Sequence, residues 1–415
     1  MHKEASVPRD SAVSLGWSLI LVALPLAATP AHAQAVAEPP VTIFRFGDIG
    51  LNPALNVVTG YDTNAIRAEE PVPSSEITVV GQVESFWNIR RYELRSAAAV
   101  ESMNFPGQPN EAGVNYQGEA ELRARGVRIS PTGLVRYRNI STRPTGFEVG
   151  PRSRFVTKVA EGGVAINISE RLGIDNTLGV TRVDYDADAR FQDSSLTQTL
   201  NFTVHTFASR MVFELTPLTA VRTDFTFNRE RFDNDPARDN TNFEVLTGVM
   251  FEPLALIEGR AQVGVERFNG TNELGTFNGL TLALGLSYRR NPRIGVIDFG
   301  INRGTEYSFD ETQLVGTVLG YAIGYERELG QRWMTDANLQ IETLDYPRPR
   351  DGLTNERRIS YGGNVAFRLS QWQRVGVQVD RQDLSSSRVP FNAFRVIAFY
   401  AYGEGSIGLE RPTGR

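Results

Sequence analysis

The residues able to do chemistry are few, and their types point to recognition rather than turnover. The chain has 415 residues, three histidines and no cysteine. His2 and His32 precede residue 34, which leaves His205 alone in the rest of the chain. No serine motif accompanies His205, so a Ser–His hydrolase lacks its second member and the residue reads as structural. No P-loop, no GxGxxG following a strand and no HExxH stands in a proper context. The lack of cysteine removes disulfides, thiolate metal sites and thiol catalysis. Asp184, Asp186 and Asp188 alternate at the end of one segment, and Asp233, Asp235 and Asp239 crowd another. Neither set has the full calcium-loop spacing, and both read as solvated tips. The expectation is a protein without catalytic, cofactor or metal residues.

What remains is arginine, carboxylate and amide placed at every second position, with apolar residues between. Glu119, Glu121 and Arg123 alternate with Ala120 and Leu122, and Arg136 and Arg138 with Val135 and Tyr137. Arg222 and Asp224 precede Phe225, while Arg260 and Glu266 bracket Ala261, Val263 and Val265. Arg332 and Asp336 fall on the parity opposite Trp333 and Thr335. Arg368 follows Phe367, and Arg374 and Asp380 interleave with Val375, Val377 and Val379. Guanidinium and amide donors with carboxylate acceptors match sugar hydroxyls and acidic sugars. They also match one another, and pairing across strands would simply stiffen a wall. Either way these residues line a watery interior, because unpaired charge in a dry core is costly.

A period of two requires β-strands, with one apolar and one polar face. Val315–Thr343 is the clearest case. Val315, Thr317, Leu319, Tyr321, Ile323 and Tyr325 alternate with small residues, a polar turn with Gly330 follows, and the alternation restarts at Trp333. Each limb has about 11 residues, enough for a tilted strand to cross a bilayer. Eighteen such segments can be counted between residues 50 and 405. Their connections alternate between tight turns, such as Arg125-Gly126 and Thr216-Pro217, and longer polar loops, such as Thr63–Ser74 and Arg143–Ser153. Aromatic residues, among them Trp87, Tyr92, Phe213, Trp333, Phe367 and Trp372, gather beside the tight turns. Both features are expected of an all-β transmembrane barrel with antiparallel, up-and-down strands. In segment 197–215 the phase changes, with Phe202 and Val204 on one parity and Met211, Phe213 and Leu215 on the other. A bulge near Ala208–Arg210 is predicted to absorb the change. The small residues Gly279, Thr281, Ala283, Gly285, Gly316, Gly320 and Gly324 leave room for an inserted loop or a partner.

Bulk properties agree with a barrel. Apolar residues make up 41% of the chain, mean hydropathy is −0.26, and no apolar run after the N-terminus approaches a helical span. A net charge of −5 gives no support for nucleic-acid binding. Residues 1–33 read as an export signal: Lys3 and Arg9, then apolar Leu15–Ala27, then Ala31-His32-Ala33 as the cleavage site. The predicted organisation is a signal peptide at 1–33, a periplasmic lead at 34–49, the barrel at 50–405 and a polar tail at 406–415.

The first strand carries Gly60-Tyr61-Asp62-Thr63-Asn64 after Phe44-Arg45-Phe46-Gly47. This entry segment resembles that of the putative β-barrel porin 2 family, whose barrels open with a strand ending in Gly-Tyr-Asp-x-Asn. The resemblance marks Gly60, Tyr61, Asp62 and Asn64 as family positions. It implies a bacterial outer-membrane location and an association with exopolysaccharide export. The implied partners are outer-membrane lipid, a polysaccharide or small solutes in the lumen, and a periplasmic export component. A general diffusion porin, and a structural or adhesive barrel with a plugged lumen, are the alternatives. Such barrels usually end on a terminal aromatic residue, whereas here Phe399, Tyr400 and Tyr402 are followed by the polar segment 403–415.

Overall fold

The computed structural model describes residues 42–142, 152–191, 194–251, 256–271, 276–291, 295–307, 315–346, 355–386 and 390–403. The expected signal peptide and the C-terminal tail lie outside them.

Eighteen long strands form one closed antiparallel barrel. They are β1 Ile49–Asp62, β2 Ser74–Ile89, β3 Tyr92–Asn104, β4 Gly113–Ala124, β5 Ile129–Thr142 and β6 Ser153–Asn167. There follow β7 Leu172–Tyr185, β8 Phe202–Thr216, β9 Thr219–Phe232, β10 Asn240–Phe251, β11 Ile257–Gly270 and β12 Thr276–Asn291. The last six are β13 Gly295–Tyr307, β14 Val315–Leu329, β15 Trp333–Asp345, β16 Asn355–Ser370, β17 Gln373–Ser385 and β18 Phe391–Tyr402. Each strand pairs with its sequence neighbours. β18 returns to β1 through eight residue pairs, from Leu55↔Tyr402 to Asp62↔Arg395. Closure removes the free edge, the only way a sheet satisfies its backbone in hydrocarbon. Before the barrel, Phe44–Phe46 folds back on Ile49–Leu51 as a short strand.

Tight connections gather at one end of the barrel, the turn end, and longer ones at the other, the loop end. At the turn end, Gly330 has φ +70°, a conformation glycine adopts without strain, and it reverses the chain between β14 and β15. One parity of each strand presents large apolar side chains outward: Leu178, Phe213, Val265, Leu280 and Trp333 are all exposed. The expected aromatic belt is present at the turn end, where Trp87, Tyr92 and Phe213 are exposed and Trp333 meets Phe367 edge-on at 5.0 Å.

Segment 197–215 departs from its expected form. Leu196–Thr199 is a helical turn, and β8 begins at Phe202. From Phe202 to Phe213 it pairs without a register shift against both neighbours; the only irregularity falls between Glu214 and Thr216. No bulge separates the two parities. Phe202 and Val204 face inward because the β7–β8 connection folds into the barrel and covers them. Leu196, Leu200, Phe191 and Ala189 from this connection pack with Phe155, Val183, Tyr185, Phe202, Val204 and Phe232. A second apolar cluster, Val318, Leu344, Tyr346, Leu384, Phe391 and Ala393, lines the opposite wall at the loop end. Apolar packing against an inserted segment overrides the polar-inward rule of a wet barrel. The inserted segment lies against β6–β9 and away from the small-residue lining of β12 and β14.

Candidate functional site

The inward parity at mid-depth carries the charges. Arg136 Nε donates to Glu119 Oε2 at 2.8 Å and, nearer the turn end, Arg123 Nη2 donates to Glu121 Oε1 at 2.8 Å. Arg138 lies opposite Gln117 on the same face. Around the wall, Asp224 is a hub. It accepts from Arg210 at 3.0 Å, from Arg222 at 2.6 and 2.9 Å, and from Gln262 at 2.7 Å. Arg260 is its neighbour on β11, on the same parity as Gln262. Glu266, further toward the loop end, accepts from Asn242 at 2.7 Å and from the Thr305 hydroxyl. Asp336 accepts from Asn364 of β16, and Asp380 from Gln378 at 2.8 Å.

The remaining expected residues sit at the turn end. Arg368 donates to Glu328 at 2.9 Å and faces Arg374, which is exposed. Arg332 differs from the expectation. It lies in the turn before β15, is exposed, and its guanidinium stands 5.9 Å from the centre of the Phe367 ring. The alternation does not extend to it, because the strand starts one residue later, at Trp333.

Sequence reasoning missed a second set of charges, at the loop end. Arg358 on β16 is bonded to Glu342 on β15, beside Glu356, which accepts from Ser386 at 2.6 Å. Arg395 lies 3.4 Å from Glu76 and 3.6 Å from Asp380. Arg152, before β6, lies 3.4 Å from Glu111 and donates to the Ser141 carbonyl at 2.7 Å. Accessibility varies along the inward face. The side chains of Arg136 and Glu119 are 19% and 31% exposed, whereas those of Arg395 and Glu76 are 7% and 5% exposed. Glu119 and Arg136 therefore meet lumen water, whereas Arg395 and Glu76 are closed off from it, as are Gln262 and Glu266 on β11. Alternation on β2 and β18 could have placed Glu76 and Arg395 on the inward parity, but neither was assigned from the sequence. No local signal indicated that the two would meet.

The Gly-Tyr-Asp-x-Asn residues have structural work at the barrel seam. A Cβ on Gly60 would stand 2.3 Å from the Val396 carbonyl oxygen and 2.4 Å from Ile397 Cγ2, so β1 and β18 close only over a glycine there. Tyr61 points outward and is exposed. Asp62 accepts from the Asn64 N–H and from Arg67, both at 2.8 Å. Asn64 is fully buried; its amide donates to the Ala68 carbonyl at 2.7 Å and to the Asn392 carbonyl of β18 at 3.0 Å. The motif thus anchors the first loop to the last strand.

A closed 18-strand barrel with an apolar outer face, an aromatic belt and a charged, hydrated lining defines an outer-membrane β-barrel of the porin or channel class. The chain belongs to the family described as Putative beta-barrel porin 2, whose model matches residues 44–399. No curated protein matches the sequence. Among solved structures, the chain is similar to Pseudomonas aeruginosa OccK2 (OpdF) in complex with glucuronate. The TM-score is 0.49 and the identity 9%, over 85% of this chain and 98% of that one. It is similar to a bacterial polysaccharide outer membrane secretin with a TM-score of 0.39 and 10% identity, over 86% of this chain and 98% of that one. It is similar to the FrpB iron transporter from Neisseria meningitidis with a TM-score of 0.47 and 10% identity, over 81% of this chain and 62% of that one.

Proposed function

We propose that this barrel conducts a sugar polymer, a secreted polysaccharide, through the lumen of the bacterial outer membrane after export of the chain by its N-terminal signal. The observation that carries this reading is the inward ladder of arginine–carboxylate pairs and amides, from the part-exposed Glu119–Arg136 pair to the more enclosed Asp224 hub. Donors and acceptors alternate around the wall, so successive sugar hydroxyls exchange hydrogen bonds with it and with water at nearly equal energy. A polymer held this way binds weakly at many positions and keeps moving. The buried pairs and apolar clusters at the loop end narrow the way out, and a periplasmic component supplies direction.

Diffusion of small hydrophilic solutes is the second reading, favoured by the water access of the same pairs. Single-channel conductance of the purified protein in a planar bilayer, with and without added acidic oligosaccharide, tests both. Reversible block by oligosaccharide, together with loss of secreted polysaccharide on deletion, supports polymer passage. Steady conductance unaffected by oligosaccharide, with secretion intact after deletion, supports the diffusion porin and overturns the first reading.

A further inference from the structure

On the outward face, the apolar band ends abruptly along β6–β9. Gly162, Leu178, Phe207 and Phe227 form one transverse row of paired residues. The next row toward the loop end is Ala160, Val180, His205 and Arg229, and the one after it Lys158, Arg182, Thr203 and Arg231. Within two rows the wall passes from aromatic and aliphatic to cationic.

The small residue Ala160 leaves a recess there, with Gly162 beside it. A Cβ added at Gly162 would meet nothing within 4 Å. The resulting groove, ≈ 670 Å³, is lined by Leu178, Val180, Phe207 and Phe227 and capped by His205, Arg229 and Arg231; no carboxylate lines it. The cations around it are unequally engaged. Arg182 is committed to Asp184 and Asp233, each at 2.7 Å. Arg231 shares Asp239 at 3.3 Å while its side chain stays 54% exposed. Arg229 is exposed and makes no ion pair among the described residues.

We propose that this groove binds a phosphorylated lipid of the outer leaflet. One acyl chain lies along Leu178, Val180, Phe207 and Phe227, and the headgroup phosphate is held by Arg229 and Arg231. The loop end of an outer-membrane barrel faces the outer leaflet, and the step from apolar to cationic residues sets the groove at headgroup depth. Arg229 and Arg231 stand two residues apart on one strand face, about 7 Å, so both reach one phosphate. A phosphomonoester carries about −1.5 to −2 charges at neutral pH and three acceptor oxygens, which suits two guanidinium groups better than a singly charged phosphodiester does. The occupant is accordingly a phosphomonoester lipid of the lipid A type. The inference rests on the outer-membrane placement of the barrel and not on the substrate it conducts.

The test is native mass spectrometry of the purified full-length protein in detergent, titrated with bisphosphorylated lipid A or with phosphatidylglycerol. Folding of each variant is first verified by heat-modifiable gel migration. The wild type should retain lipid A, and Arg229→Gln with Arg231→Gln should weaken retention by about 10-fold or more, the loss expected for hydrogen bonds to a charged group. Ala160→Trp, which fills the recess without altering charge, should weaken it as well and serves as the second variant if the double one misfolds. Equal retention of lipid A by the folded charge variant or by Ala160→Trp would overturn the proposal, as would equal retention of phosphatidylglycerol by the wild type.

Discussion

Arg395, on the last strand, lies 3.4 Å from Glu76 on the second, reaching over the first strand that separates them. Both residues are buried, and Arg395 also stands 3.6 Å from Asp380 on β17. One cation thus ties β17, β18 and β2 together across the seam where the chain's two ends meet. Removing one partner of a buried pair leaves an uncompensated charge at a cost of about 3–5 kcal/mol. Arg395→Met is therefore expected to lower the unfolding free energy of the barrel in vesicles by an amount of that order, read as a fall in the urea midpoint. Arg395→Met with Glu76→Gln should recover part of the loss. An unchanged midpoint in the single variant would show that the pair does not hold the seam.

Gly60 gives the same seam its close approach. An alanine Cβ would press on the Val396 carbonyl, a backbone atom that moves only with its strand. Gly60→Ala should cost about 1–3 kcal/mol, the range for an overpacked contact. The readout is the fraction of barrel reaching the heat-modifiable folded form. Alanine at Gly81, where an added Cβ meets nothing within 4 Å, is the control and should fold as the wild type does.

The lining predicts selectivity changes of opposite sign. Arg136→Glu with Arg138→Glu places negative charge beside Glu119, and the channel should shift toward cations. Asp224→Asn leaves Arg210 and Arg222 without their shared carboxylate, and the channel should shift toward anions. Reversal potentials in a salt gradient measure both. Unchanged selectivity in an open channel would remove these residues from the conduction path.

The loop-end clasp between β7 and the β9–β10 loop is sensitive to acid. Hydrogen bonds from Arg182 hold the Asp233 carboxyl below its usual range. The folded pKa is thus lower than the unfolded value of about 3.9. The clasp's contribution is complete above the unfolded value and lost as pH falls through the folded one. Asp233 is exposed, so the effect is a local loosening of the loop and not global unfolding. Hydrogen exchange at residues 233–239 should rise relative to the rest of the barrel as pH drops below about 4, once the intrinsic pH dependence is subtracted. Asp233→Asn should show the raised level at every pH. Identical pH profiles for the two proteins would exclude the clasp.

Alternation determined much of this protein without any structure. Strand number, the antiparallel up-and-down order, the tight and long connections and the inward parity of Glu119, Arg136, Asp224 and Asp380 follow from a period of two. A strand exposes successive residues to opposite media, and the bilayer demands apolar ones on one side. Alternation misled at Arg332, which belongs to a turn, and at Phe202 and Val204, apolar residues whose face is set by the inserted β7–β8 segment. Tertiary structure alone decided which charges meet. Arg395 and Glu76 are 319 residues apart, and only barrel closure brings them together. It also decided that the Arg395–Glu76 pair is buried and the Glu119–Arg136 pair part-exposed, and that three outward rows of β6–β9 combine into one groove capped by cations. Such contacts depend on the register between distant strands, and register is fixed by packing and closure rather than by any local run of residues.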